Sequence, residues 1–134
     1  MMITSEGRVK IADFGVARVA QTEHMTGSCG TFQWMAPEVM ISVKYSVSAD
    51  IYSLAIVFWE ICELSAPFTN LPQSYIPIAV VNEKKRPIFT SKTPLSLQGL
   101  IARCWQDNSN MRPTAADVAQ ILSGFLEQTT DLIN

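Results

Sequence analysis

The chain has 134 residues, 48% apolar and 16% charged, with a net charge of −2. That length suits a single domain with a modest core, and the slightly acidic balance argues against nucleic acid or an anionic membrane as the main partner. Cys29, Cys62 and Cys104 are widely spaced with no Cys-x-x-Cys, which excludes a disulfide framework or a cysteine-rich zinc site and points to reduced thiols in the cytoplasm.

The first six residues, Met1-Met2-Ile3-Thr4-Ser5-Glu6, lack a basic region followed by an apolar core, so no secretory leader is expected. Met2 to Thr4 and Arg8 to Ala12 read as two short strands around a tight turn at Ser5-Glu6-Gly7. From Gly15 to about Met35 no period holds, and the segment reads as a long loop, a kind that is usually functional in compact domains. Pro37 and Glu38 open a short helix through Met40, with Pro suited to a first-turn position.

Ser48 reads as the N-cap of a helix from Ala49 to about Leu64 that is apolar on nearly every face, so it must be surrounded by protein. Ser53, Glu60 and Glu63 interrupt it, and it falls short of the ~20 residues that a membrane span needs. Pro77 starts another helix, to about Glu83. Lys84-Lys85-Arg86-Pro87 reads as a solvated basic turn. Leu95 to Trp105 is amphipathic, with Leu97, Leu100, Ile101, Cys104 and Trp105 facing inward. Thr114-Ala115-Ala116-Asp117 has the form of a capping box, with Asp in place of Glu, and starts a helix to about Leu126. Residues 127–134 are expected to fray.

The residue patterns that carry chemistry lie at both ends of the long loop. Asp13-Phe14-Gly15 precedes Ala36-Pro37-Glu38 with twenty residues between them. The second triplet closes the run Gly30-Thr31-Phe32-Gln33-Trp34-Met35-Ala36-Pro37-Glu38. Downstream stand Ser48-Ala49-Asp50-Ile51-Tyr52-Ser53, then Arg103-Cys104-Trp105 and Met111-Arg112-Pro113-Thr114. In this order and spacing the motifs resemble the carboxy-terminal half of a eukaryotic protein kinase, in particular the tyrosine-kinase-like group of serine/threonine kinases. The resemblance runs from the first residues to about Leu126. It implies a mainly α fold, the kinase large lobe in incomplete form, with a short β-hairpin before the activation segment. Residues 1–126 form the partial kinase domain, with the activation segment at 13–38 and a helical subdomain at 39–126.

The resemblance also assigns roles. Asp13 matches the aspartate that holds the magnesium ion bridging the nucleotide phosphates. Phe14 would pack beneath it, and Gly15 would permit the turn that re-aims it. Glu38 and Arg112 match a pair that anchors the end of the activation segment, together with Ala36 and Pro37. Asp50 matches an aspartate that supports the catalytic-loop backbone, and it is also a first-turn carboxylate favoured by the helix dipole. Gly30-Thr31 favours serine or threonine over tyrosine as acceptor, with Thr31 shaping the substrate-facing loop. Thr22, Thr26 and Ser28 are phosphosite candidates, since phosphate there orders such a segment through a basic pocket. His24, the only histidine, reads as a solvated loop residue.

Other parts of the family signature are absent from these 134 residues. The six glycines form no Gly-x-Gly-x-x-Gly, no Lys stands in a Val-Ala-Ile-Lys context, and no His-Arg-Asp-Leu-x-x-x-x-Asn occurs. The chain therefore lacks a catalytic base. The resemblance implies ATP and magnesium as cofactors, but most of the ATP site is missing, and the fragment alone is expected to be inactive. Its partners are expected to be a protein substrate or the partners of a full-length kinase. The alternative reading is a non-catalytic docking module that competes for those partners.

Overall fold

The apolar pattern of the longest uninterrupted run sets the architecture, because a helix greasy on most sides has to sit in the middle. The computed structural model describes residues 1–12, 32–42 and 46–133, with side chains described through residue 127. Two strands, β1 (Met2–Ile3) and β2 (Val9–Lys10), pair antiparallel with Met2 opposite Lys10 and Ile3 opposite Val9. Gly7 closes their turn at φ 75°, a left-handed conformation that glycine adopts without the Cβ penalty. Five helices follow: α1 (Pro37–Ile41), α2 (Ser48–Glu63), α3 (Ile76–Val81), α4 (Leu95–Cys104) and α5 (Ala115–Ile133). Short 3-10 turns cover Phe32–Trp34, Gln73–Tyr75 and Ser109–Met111. The described residues are thus mainly helical, with one two-stranded sheet.

α2 is the central element. It packs against α4 and the Phe32–Trp34 turn, while α1 packs against α3. Ala49, Ile51, Tyr52, Ala55, Ile56 and Trp59 of α2 are buried and share one core with Ile76, Val80, Leu100, Ile101, Cys104, Trp105 and Val118. The Trp59 indole N–H donates to the Ile88 carbonyl at 3.2 Å, so its polar edge is satisfied. Not all of the apolar surface is covered. Ile61 is 62% exposed and Leu64 83%. The hairpin carries a further run of exposed apolar side chains in Met2, Ile3, Val9 and Ile11.

Several boundaries differ from those read in the sequence. Ser48 is the first residue of α2 rather than its cap. The preceding residue is Val47, and the Ser46 carbonyl accepts from the Ala49 N–H. The Ser48 hydroxyl instead meets that of Ser46 at 2.6 Å. α3 begins at Ile76, putting Pro77 inside the first turn, where its missing N–H has no partner to lose. α5 runs through Ile133, past the expected end near Leu126. No Gly or Pro occurs in 127–134, so nothing there stops the helical hydrogen bonding. The capping box forms as a reciprocal pair: the Thr114 N–H donates to Asp117 at 2.9 Å and the Asp117 N–H to the Thr114 hydroxyl at 3.2 Å. The Thr114 hydroxyl, donating to the Asp117 carboxylate at 2.7 Å, and the Thr114 N–H hold that carboxyl below the usual carboxylate range.

The 84–87 segment departs furthest from a solvated turn. Lys84 and Lys85 are exposed, but the Arg86 side chain is only 13% exposed and points inward. Its guanidinium donates to the Trp105 carbonyl at 3.0 Å and to the Asp107 carboxylate at 2.6 Å. A planar five-donor group with these acceptors in reach is held, not solvated.

Candidate functional site

α1 begins with Pro37, which is buried beside Ala36. Pro at the first helical position gives up no useful N–H, and it delivers Glu38 to the first turn, where the helix dipole favours a carboxylate. Seventy-four residues away, Arg112 follows the Ser109–Met111 turn in extended conformation. The two side chains meet as a fork. Arg112 Nη1 lies 2.6 Å from Glu38 Oε1, and Nη2 lies 2.8 Å from Oε2. Two parallel charge-assisted bonds of this kind fix orientation as well as distance. The Arg112 side chain is fully buried, while that of Glu38 is 21% exposed.

The remaining donors of Arg112 are spent on backbone carbonyls. Nε donates to Gln106 at 2.8 Å and Nη1 to Ser48 at 3.0 Å. One buried guanidinium thus ties together α1, the start of α2 and the 106–112 connection. A buried cation is tolerated only when it is so completely paired.

Tyr52 completes this site from α2. Its side chain is fully buried, and the Arg112 guanidinium carbon lies 5.2 Å from the ring centroid. The Arg86 guanidinium lies 5.1 Å from the same centroid. Both distances are within cation–π range. Among the described residues the Tyr52 hydroxyl has no hydrogen-bond partner. Burial pushes its phenol up to about 12, against the opposing pull of the two arginines, so the ring stays neutral at ordinary pH.

A second set of contacts secures the residues leading into α1. The Trp34 indole N–H donates to Glu60 at 3.0 Å. The Ser53 hydroxyl donates to the Trp34 carbonyl at 2.7 Å. Both partners come from α2, so the stretch 32–38 is gripped along two turns of the central helix. Sequence reading did not find these contacts. The visible signal was a carboxylate, Glu60, set in an otherwise apolar helix, where an acidic side chain requires a partner.

Glu63, at the C-terminal end of that helix, is buried. Its carboxylate accepts from the Thr90 N–H at 2.9 Å, from the Thr90 hydroxyl at 2.5 Å and from the Thr93 hydroxyl. Lys92 Nζ donates to the Glu63 carbonyl at 3.0 Å. The hydroxyl bonds of Thr90 and Thr93 hold the Glu63 carboxyl below its ordinary range. The effect is structural, locking the 88–93 connection to the end of α2.

Of the residues singled out in the sequence, the structure brings Glu38 and Arg112 together and places Ala36 and Pro37 in the core beside them. Asp50 is exposed in the first turn of α2. Asp13, Phe14, Gly15, Thr22, Thr26, Ser28 and Thr31 lie outside the described residues, as do His24 and Cys29. Among the described residues no group of three or more His, Cys, Asp or Glu side chains converges, and no helix is long and apolar enough to cross a membrane. Cys104 is buried, and burial raises its thiol to about 11, which makes it a poor nucleophile. What these residues accomplish is anchoring: they fix the backbone of 32–38 against α2.

Comparison with known proteins gives this geometry a setting. The family profile described as protein tyrosine and serine/threonine kinase matches residues 1–122. The serine/threonine-protein kinase STY17 of Arabidopsis thaliana is 39% identical over 125 residues, covering 92% of this chain and 22% of its own length. The serine/threonine/tyrosine-protein kinase HT1 of the same organism is 33% identical over 128 residues, or 95% of this chain and 33% of its own. The dual specificity protein kinase shkD of Dictyostelium discoideum is 39% identical over 122 residues, covering 89% of this chain and 16% of its own. The chain therefore spans about a third or less of the length of these relatives.

Proposed function

We propose a function from one premise: this chain belongs to the protein tyrosine and serine/threonine kinase family. It carries the carboxy-terminal part of that domain, and its role is to hold the substrate-side end of an activation segment for transfer of the ATP γ-phosphoryl group to protein serine or threonine. The observation that carries this reading is the bidentate pair of Glu38 and Arg112, which pins the end of segment 13–38 to the helical core. Gly30-Thr31 supports the preference over tyrosine; among the relatives STY17 is described as a serine/threonine kinase, whereas HT1 and shkD are described as acting on both classes.

Phosphoryl transfer is mostly positioning and charge neutralisation. In this reading Asp13 is the residue that would hold magnesium, and ATP with its metal supplies the phosphoryl group and the charge that stabilises its transfer. The protein's own contribution here is geometric. Glu38, Arg112 and the Trp34–Glu60 bond fix the stretch that faces an acceptor side chain, and Thr31 shapes it. The 134 residues hold no glycine loop, no phosphate-binding Lys of the family pattern and no catalytic-loop Asp or Asn. By themselves they have nothing to abstract the acceptor proton or to clamp the phosphates, so the isolated stretch is inactive. A second reading, a docking module that competes for the partners of a full-length kinase in the cytoplasm, draws on the exposed apolar hairpin side chains Met2, Ile3, Val9 and Ile11.

The test is thermal unfolding of the purified chain with and without excess Mg-ATP, alongside incorporation of labelled phosphate into a generic protein substrate. Neither a nucleotide-dependent rise in Tm nor incorporation is expected. A rise would show that the stretch binds nucleotide unaided, and incorporation would overturn the claim of inactivity.

A further inference from the structure

Two ion pairs that are remote in sequence converge on one aromatic ring. Glu38–Arg112 and Arg86–Asp107 each close at 2.6 Å, and both guanidinium groups sit 5.1–5.2 Å from the centroid of Tyr52. Two like charges sharing one buried neighbourhood repel each other unless something between them carries opposite charge density. The negative face of an aromatic ring does so. Tyr52 is fully buried and its hydroxyl has no partner among the described residues, so no hydrogen bond there accounts for a tyrosine. The ring itself accounts for it.

We propose that Tyr52 is a positioning residue whose ring face couples the Arg86–Asp107 pair to the Glu38–Arg112 pair, so that loosening the first loosens the anchor of α1. Each arginine contacts a carboxylate and the shared ring. When Asp107 is neutralised, Arg86 loses its outer partner and leans harder on the ring, weakening what Arg112 draws from it. A second route joins the two pairs through backbone, since Arg86 bonds the Trp105 carbonyl and Arg112 the Gln106 carbonyl. The test has to separate ring from backbone. The inference goes beyond the kinase reading and stands whether or not this chain ever meets nucleotide.

Ring fluorination provides the separation, because it drains charge from the aromatic face while leaving shape and packing nearly unchanged. Tyr52→Phe should keep or slightly raise Tm, since it deletes an orphaned buried hydroxyl. Replacing that Phe with mono-, di- and trifluorinated phenylalanine should then lower Tm stepwise, by roughly 3–8 °C in all. Amide hydrogen exchange at Val39 and Ser42, whose N–H groups donate to the Ala36 and Glu38 carbonyls around α1, reads the coupling directly. Asp107→Asn should speed that exchange about three- to tenfold in the Phe protein, and much less in the trifluorinated one. A flat fluorination series means that the ring acts by packing alone and overturns the proposal. So does an Asp107→Asn effect on exchange that is the same in both backgrounds, which would assign the coupling to the backbone route. Because every variant keeps an aromatic ring of nearly the same size at 52, a failure to fold does not obscure the result.

Discussion

Glu38→Gln is the substitution that most directly tests the anchor. Its partner Arg112 is wholly buried, and removing one partner of a buried pair costs ~3–5 kcal/mol because the other charge is stranded. Two features here reduce that figure. The guanidinium keeps the Gln106 and Ser48 carbonyls and the Tyr52 ring, and Gln retains one acceptor oxygen of the two. What is lost is one charge-assisted bond and the charge of the other, about 2–3 kcal/mol. For 134 residues, each kcal/mol moves Tm by about 3–5 °C, so a fall of roughly 6–15 °C is expected by circular dichroism. The control is Glu6→Gln. Glu6 pairs with Arg8 in the hairpin turn, where both side chains are largely exposed, and a pair of that kind contributes little. It should leave Tm within ~2 °C. If Glu38→Gln lowers Tm no more than Glu6→Gln does, the anchor does not hold the fold and the reasoning from burial fails.

Three other substitutions test the scaffold around the site. Thr114→Ala removes the capping hydroxyl of α5 and should cost about 1 kcal/mol in chemical denaturation. Ile56→Ala, at a fully buried position of α2, should cost ~2–5 kcal/mol by cavity formation. Glu63 supplies a pH dependence. Its carboxyl is held below its unfolded value by the Thr90 and Thr93 hydroxyls, so its contribution is fully present above the unfolded carboxylate range and is lost as pH falls through the folded value. Tm measured from pH 7 down to pH 3 should therefore drop less steeply in Glu63→Gln than in the unmodified chain, and a parallel decline in both would refute the assignment.

The parts legible in the sequence were those governed by local rules. An apolar run with a polar opening gave α2, Thr114 and Asp117 at cap spacing gave the start of α5, and the motif around Arg112 gave its meeting with Glu38. The parts that were not legible depend on what lies across the chain. Arg86 stands in a run of cations beside Pro87 and reads as a wet turn. Only the placement of Tyr52, Trp105 and Asp107 turns it inward, and no spacing rule encodes that. Glu63 looked like an interruption in a greasy helix, yet it is buried because two threonines nearly thirty residues on supply hydroxyls. The end of α5 was missed for a different reason. α5 continues to Ile133 because neither Gly nor Pro stands in 127–133 to interrupt its hydrogen bonding.

The span between Glu38 and Arg112 also has a bearing on how the chain reaches its structure. Joining residues 74 apart carries a loop-closure cost whose length-dependent part is about 4 kcal/mol, and helices made of near neighbours form long before such a loop is rewarded. The fork is therefore a late event on the folding route, made after α2 and α4 have met. Contacts made after the transition state slow escape from the native state and leave the forward rate nearly untouched. In a chevron plot, Glu38→Gln should steepen nothing and shift the unfolding limb upward, with the refolding limb in place. The same lateness makes α1 the first helix of the described residues to come loose when the native state opens, and hence a place where a protease gains entry.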